Sequence, residues 1–247
     1  ERGFAVAMVG CAFLALISGR VWERAALVSR PIGETAAGAQ AQHVRFSMPI
    51  FISSLLAVVV AQTALIATGV LSTPIEAGLY AAAERFSLAA ALVGQAVYLA
   101  IASRVAALHT AGDLASMGAL VRKATRMVSA ATLIVCIVLW LAADLLLGLY
   151  GSEFSGAVPV LRVLLLSVLV NACAGPTGQV LLMTRNEVDH LIAMAISLIV
   201  QSLLIAALIS DYGVLGAAWA VLVSTLVWNG LMMYFVRHRL ALNPVLV

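Results

Sequence analysis

The sequence predicts an all-α membrane protein, a polytopic helical bundle with about seven transmembrane helices. Three observations predict it. Of the 247 residues, 64% are apolar and only 10% charged, with a mean hydropathy of +1.10, whereas a soluble domain carries roughly 25% charged residues. The apolar residues fall in runs close to the ~20 that an α-helix needs to cross the hydrocarbon layer. The basic residues gather in alternate connections between those runs. A water-soluble fold of this length would need a charged surface, and 14 basic and 11 acidic side chains cannot cover one.

The runs extend over Phe4 to Ser18, Phe46 to Leu71, Leu79 to Ser103, Met127 to Leu149, Val160 to Met183, Leu191 to Ile209, and Val214 to Val236. They are continuous and rich in Leu, Ala and Val. Transmembrane β-strands would instead be alternating segments of about ten residues, so helices are expected. The chain opens on Glu1-Arg2 without an initiator methionine, and it reads as a fragment of something longer. The first run lacks a basic start, and the nearest Ala-x-Ala, Ala39 to Ala41, lies well beyond it, so a retained span is expected rather than a signal peptide.

Arg20, Arg24, Arg30, Arg45, Arg104, Arg122, Lys123, Arg126, Arg185, Arg237 and Arg239 are eleven of the 14 basic residues, and all fall on one side of the alternation. That side is expected to be cytoplasmic. Ser72 to Gly78, Tyr150 to Pro159 and Ser210 to Gly213 hold Glu76, Glu153 and Asp211 but no Lys or Arg, and are expected to face outward. The protein is thus expected to be a multi-pass protein of the cell (inner) membrane with a cytoplasmic C-terminus. Arg20 to His43 could carry a short interfacial helix. Asp113 can cap a helix through Val121 that sets Arg122, Lys123 and Arg126 at anionic headgroups, although simple orientation anchors explain the same residues.

Polar groups at membrane depth are costly unless they face protein or water. In the third run, Tyr80, Glu84, Ser87, Ala91, Gln95 and Tyr98 recur at three- and four-residue steps and so share a helical face. One reading is a cavity wall with Arg85 available to an anion through its planar fork. The other is a local ion pair near the interface, although the adjacent Glu84 and Arg85 point about 100° apart on a helix. The fifth run carries Ser167, Asn171, Gly175, Gly178 and Gln179 in a stripe with Gly175-Pro176 as a kink. It suits either a cavity wall or helix packing through small residues and interhelical hydrogen bonds. Gln201 with Ser197, and Asn229, read as packing contacts, and Arg162 as a residue that snorkels to the interface.

Cys11, Cys136 and Cys173 lack the spacing of a disulfide or zinc site, and His43, His109, His190 and His238 read as solvated loop residues, so no metal and no cofactor are expected. Asp144 and Glu153 look isolated, no GxxxxGK[ST] pattern occurs, and the outward connections are too short for a catalytic domain, so no enzyme activity is expected. Nothing in the chain suggests a nucleic-acid partner.

Several phrases together resemble the C-terminal half of the polysaccharide and lipid-linked oligosaccharide flippases of the multidrug/oligosaccharidyl-lipid/polysaccharide (MOP) exporter superfamily. They are Arg45-Phe-Ser-Met-Pro49, Gly78-Leu-Tyr80 with Ala82 and Arg85, Asp113-Leu-Ala, Leu149-Tyr-Gly151 through Phe154, Ala157 and Pro159, Gly175-Pro176 with Leu181-Leu182-Met183-Thr184, and Tyr212-Gly213 with Gly216-Ala217-Ala218. Their order covers most of the chain.

The resemblance implies two six-helix bundles around a central cavity. Residues 1–19 would be the last helix of a preceding bundle, 20–45 a cytoplasmic link, 46–236 the C-terminal six-helix bundle, and 237–247 a cytoplasmic tail. It implies alternating access that moves an anionic lipid-linked saccharide, a polyprenyl pyrophosphate-linked repeat unit, to the outer leaflet in surface polysaccharide (lipopolysaccharide) biosynthesis, driven by an ion gradient or by consumption of the product outside. The implied partners are the bilayer, the N-terminal bundle and a coupling cation. The polar faces above make Glu84, Gln95, Tyr98, Asn171 and Gln179 the expected substrate cavity, and the resemblance implies Arg85 and Arg45 as the basic residues that attract the pyrophosphate. Family members often carry an acidic residue in the span at Phe46 to Leu71, where this chain has Gln62-Thr63, and a Thr-Gly turn where it reads Thr184-Arg-Asn-Glu187. A drug or metabolite exporter of the same superfamily and a non-transporting membrane scaffold are the alternatives.

Overall fold

The computed structural model describes residues 36–240, with side chains from residue 51 onward. The predicted first span at Phe4 to Ser18, most of the 20–45 link and the side chain of Arg45 lie outside the described residues. So do residues 241–247 of the predicted tail.

The described chain is helical throughout: α1 Ala36–Leu71, α2 Pro74–Thr110, α3 Leu114–Leu141, the short α4 Ala143–Gly148, a 3-10 turn Ser152–Ala157, α5 Val158–Ala174, α6 Thr177–Met183 and α7 Glu187–Leu240. Five of its helical segments are long and apolar enough to cross a bilayer. The longest, α7, has 54 residues and would reach about 80 Å if straight, far more than the ~30 Å hydrocarbon core. It breaks at Gly213, whose φ of 54° and ψ of −139° lie outside helical geometry. The two halves run antiparallel. Ser197 Oγ donates to Ser224 O at 3.1 Å, and Arg239 at the end of α7 grips Asp189 at its start. Six of the described segments are therefore long and apolar enough to cross, and the protein is a polytopic all-α membrane protein.

Several predicted boundaries shift, each for a local reason. The helix expected from Phe46 begins ten residues earlier, at Ala36, so the end of the predicted link is helical. Most of the predicted Ser72 to Gly78 connection is helix as well. Thr73 caps α2 in a capping box, in which the Glu76 N–H donates to Thr73 Oγ1 at 3.3 Å and the Thr73 N–H to Glu76 Oε2 at 3.0 Å. The predicted surface helix after Asp113 and the fourth span are one continuous helix, α3, because no breaker separates them. That span ends at Leu141, and its predicted remainder folds into α4. The expected kink at Gly175-Pro176 is a complete break between α5 and α6.

Asp113 is the N-cap of α3 and accepts the Ser116 N–H at 3.0 Å. Hydrogen bonding from Ser116, by its side chain and then by this N–H, holds the Asp113 carboxyl below the usual carboxylate range. A lowered folded pKa means the cap contributes above the unfolded value and is lost as pH falls through the folded one. Amide protection in the first turn of α3, read by hydrogen exchange, is expected to fall on acidification and to be pH-independent in Asp113→Ala.

The two ends of the bundle differ. Glu76 at the start of α2 lies beside Gly213, and Leu79 beside Gly156 of the 3-10 turn, so the connections without basic residues share one end. Asp189 and Arg239 lie at the other, basic end. Between them two apolar clusters fill the interior. One is built around Tyr80, Leu147, Leu161, Leu165 and Ile205 in the acidic half, and one around Met117, Leu181, Leu191, Leu198 and Met232 in the basic half.

Candidate functional site

The break after α5 organises the site. Proline has no N–H, so Pro176 leaves the carbonyl of Ala172, four residues earlier, without its helical donor. Three groups take it instead. Ser129 Oγ–H donates at 3.0 Å, Tyr98 O–H at 3.2 Å, and the Gly175 N–H at 3.2 Å. Tyr98 is thereby fixed with its ring against the gap that the break opens. Gly175 allows the turn with φ 78° and ψ −172°, a region open essentially to glycine.

The gap is a cavity of about 340 Å³ in the basic half of the bundle. α2 contributes Gln95 and Tyr98, α5 Asn171, the break and α6 contribute residues Gly175 to Gln179 with Leu182, and α7 His190, Met194, Trp228 and Asn229. Ser53, Ser54 and Ala57 of α1 close another side, and exposed Ser54 and Gln95 mark its rim. Asn229 Nδ2 donates to Asn171 Oδ1 at 3.2 Å and to Thr225 O at 2.9 Å. His190 is buried and hydrogen-bonds Ser53 through Nδ1. Trp228 has a buried Nε1–H without a partner among the described residues. Gln95 and Gln179 make no hydrogen bond within the described chain. Among the described residues, no Asp, Glu, Lys or Arg side chain lines the cavity. It therefore offers neutral donors, neutral acceptors and two aromatic faces.

Of the residues expected in a substrate cavity, Gln95, Tyr98, Asn171 and Gln179 come together here, with Gly175 and Pro176 in the wall. Glu84 and Arg85 do not. They lie more than ten residues up α2 from Tyr98, about 20 Å along the axis, with Glu84 half-buried and Arg85 on the outer stripe with Leu88, Leu92 and Leu99. The polar face from Tyr80 to Tyr98 is not one continuous wall. Tyr80 is 1% exposed in the apolar interior, and Ser87 Oγ–H turns back to Glu84 O at 2.8 Å. The side chain of Arg45 lies outside the described residues.

Other expectations are corrected. His190 is a buried cavity residue rather than a solvated loop histidine. Asp144 is not isolated, since Arg162 reaches it at 3.5 Å and lies over the Trp140 ring at 5.6 Å. Asn229 packs, as expected, but also lines the cavity. Gln201 does pack: its Nε2–H donates to Val60 O at 3.2 Å, and its Oε1 accepts from Ser224 at 3.2 Å. Sequence reasoning passed over Ser53, Ser54 and Trp228, which lie inside apolar runs without a helical polar stripe and are gathered only by the fold. Among the described residues no group of three or more His, Cys, Asp or Glu side chains is placed to hold a metal ion.

No protein-family model and no curated protein matches the sequence. Two solved structures do. The first, with a TM-score of 0.67 and 20% identity over 83% of this chain, is described as the outward-facing conformation of a multidrug resistance MATE family transporter of the MOP superfamily. The second, also at a TM-score of 0.67 and 20% identity, over 81% of this chain, is a MOP superfamily transporter from Pyrococcus furiosus described as having a binding pocket of reversed polarity. The chain spans 46% and 45% of those two structures. The chain thus shares its fold with just under half of each of these two solved structures.

Proposed function

We propose that this chain is one bundle of a membrane transporter that moves a lipid-linked saccharide from the inner to the outer leaflet by alternating access. The observation that carries the reading is the cavity's chemistry. Asn171, Asn229, Gln95 and Gln179 supply amides suited to hydroxyl groups, Tyr98 and Trp228 supply flat faces, and no lining side chain carries a fixed charge. The fold likeness to transporters supports the transport part of the proposal. With the basic end cytoplasmic, as the positive-inside rule expects, the cavity lies in the half where a substrate made inside would load. A preceding bundle would complete the path. Arg85 would act at a later stage, nearer the outer end, where an exposed guanidinium can meet a pyrophosphate. Gln62 and Thr63 occupy α1 where a carboxylate would otherwise couple a cation. Neither is a carboxylate, which favours a drive by consumption of the product outside over a cation held on that helix.

Gln95→Leu/Gln179→Leu is expected to lower translocation of lipid-linked saccharide about thirtyfold, the loss of two unshared amide bonds at about 1 kcal/mol each. Membrane abundance should not change, because neither amide bonds within the described chain. Normal surface polysaccharide in cells carrying only this variant would sink the assignment.

The fold likeness to a multidrug resistance transporter favours a second reading, export of a drug or metabolite. Its signature in the same experiment would be unchanged saccharide translocation with lost efflux of an organic cation.

A further inference from the structure

Away from the cavity, at the acidic end, α3 and α5 leave a groove of about 270 Å³ between them. Its walls are wholly hydrocarbon and sulfur apart from the Trp140 indole: Leu133, Ile137 and Trp140 on one side, Leu165, Leu166 and Leu169 on the other. From residue 133 to residue 141 it runs about 12 Å along α3. Its floor has no unmet polar need, because Cys136 Sγ–H donates to Leu165 O at 3.7 Å.

The mouth is built differently. Arg162, one turn into α5, lies with its guanidinium 5.6 Å from the centroid of Trp140. Its Nη2 reaches Asp144 Oδ2 at 3.5 Å, long for a charge-assisted hydrogen bond, which is about 2.7–2.9 Å. Its Nε is buried and has no partner among the described residues, so it is the outer guanidinium nitrogens that face outward. The two side chains are 39% and 74% exposed, so both remain open to a third group. A cation and an anion side by side, at the end of a helix pair and above an apolar slot, match a headgroup that itself carries both signs.

We propose that this groove binds a zwitterionic phospholipid with a primary ammonium, a phosphatidylethanolamine, of the leaflet at the acidic end. One acyl chain lies in the slot between α3 and α5. The phosphate takes donors of Arg162, whose planar fork suits it. The ammonium donates to Asp144. A purely anionic headgroup would meet the Asp144 carboxylate, and a quaternary ammonium has no N–H to give it. Charge complementarity therefore selects this lipid over phosphatidylglycerol and phosphatidylcholine.

Trp140 is the reporter. In a protein with Trp22→Phe, Trp219→Phe and Trp228→Phe, reconstituted in phosphatidylcholine vesicles, brominated-chain phosphatidylethanolamine and phosphatidylglycerol are titrated separately and the quenching of Trp140 is read. Phosphatidylethanolamine should reach half-maximal quenching at a mole fraction about threefold lower, the size expected of one exposed ionic contact. Asp144→Asn, which keeps the size of a side chain that is 74% exposed, should bring the two midpoints together. Arg162→Gln should raise both. Equal midpoints in the parent protein would mean ordinary annular contact and overturn the site. A lower midpoint for phosphatidylglycerol, or a preference unchanged by Asp144→Asn, would overturn the headgroup assignment.

Discussion

Gly175→Ala is expected to cost about 3 kcal/mol, from a conformation that itself carries ~1–3 kcal/mol of strain for any other residue and from a steric overlap added to it. The overlap is specific, since a Cβ at position 175 would run into Thr125 Oγ1 and lie 3.2 Å from its Cγ2. Glycine is present because the chain must leave α5 with a positive φ while pressed against α3. The consequence reaches the cavity as well, because Ala172 O, Tyr98 and Ser129 are held together at this break. The measurement is folded protein recovered from membranes, with its melting temperature in detergent. Thr125→Ala in the same chain removes the overlapping atoms but not the backbone strain, so Gly175→Ala/Thr125→Ala should recover about half of the loss. A Gly175→Ala protein with unchanged yield and melting temperature would contradict the described break.

Arg239→Leu is expected to destabilise by about 2 kcal/mol, and by more than Asp189→Leu/Arg239→Leu. Asp189 is 9% exposed at its side chain and receives both bonds of the guanidinium, at 2.8 Å from Nε and 3.2 Å from Nη2. Removing the arginine leaves a buried carboxylate without its partner, whereas removing both leaves apolar side chains, which is the cheaper state. The pair ties the two ends of the α7 hairpin together, 50 residues apart. Thermal unfolding of the parent, both single variants and the double variant closes the cycle. Equal losses in Arg239→Leu and the double variant would show that the buried carboxylate is not what the arginine serves.

Fold class was legible because it depends on solvent. Runs of Leu, Ala and Val around 20 residues long have few stable alternatives in lipid. The alternation of basic and acidic connections reports which ends lie together. Asp113 as a cap and a departure from regular helix at Gly175-Pro176 were legible for local reasons, since a carboxylate before a helix and a proline within one act on their immediate neighbours, although the expected kink is a complete break. The helix boundaries were less so, because capping by Thr73 and Glu76 extends α2 through residues whose hydropathy reads as a connection.

The site was legible only in part. Asn171 and Gln179 stood out on a stripe, and Gln95 and Tyr98 on another, because helical periodicity marks a polar face. It does not say how far along that face the neighbouring helices stay apart. Tyr80 and Ser87 share the face of Tyr98 and are packed shut in the acidic half, while Gln95 meets open space in the basic half. His190, Ser53 and Trp228 carry no periodic signal at all, and their meeting depends on the α7 hairpin turning at Gly213 and packing against α1. What the sequence by itself determined is the choice of lipid as solvent, the number of crossings among the described residues and the end at which each connection lies, since these follow from transfer of apolar surface and from charge. Only the tertiary structure decided which polar residues share a cavity and which are sealed, because that depends on the distances between helices brought together from residues more than a hundred positions apart.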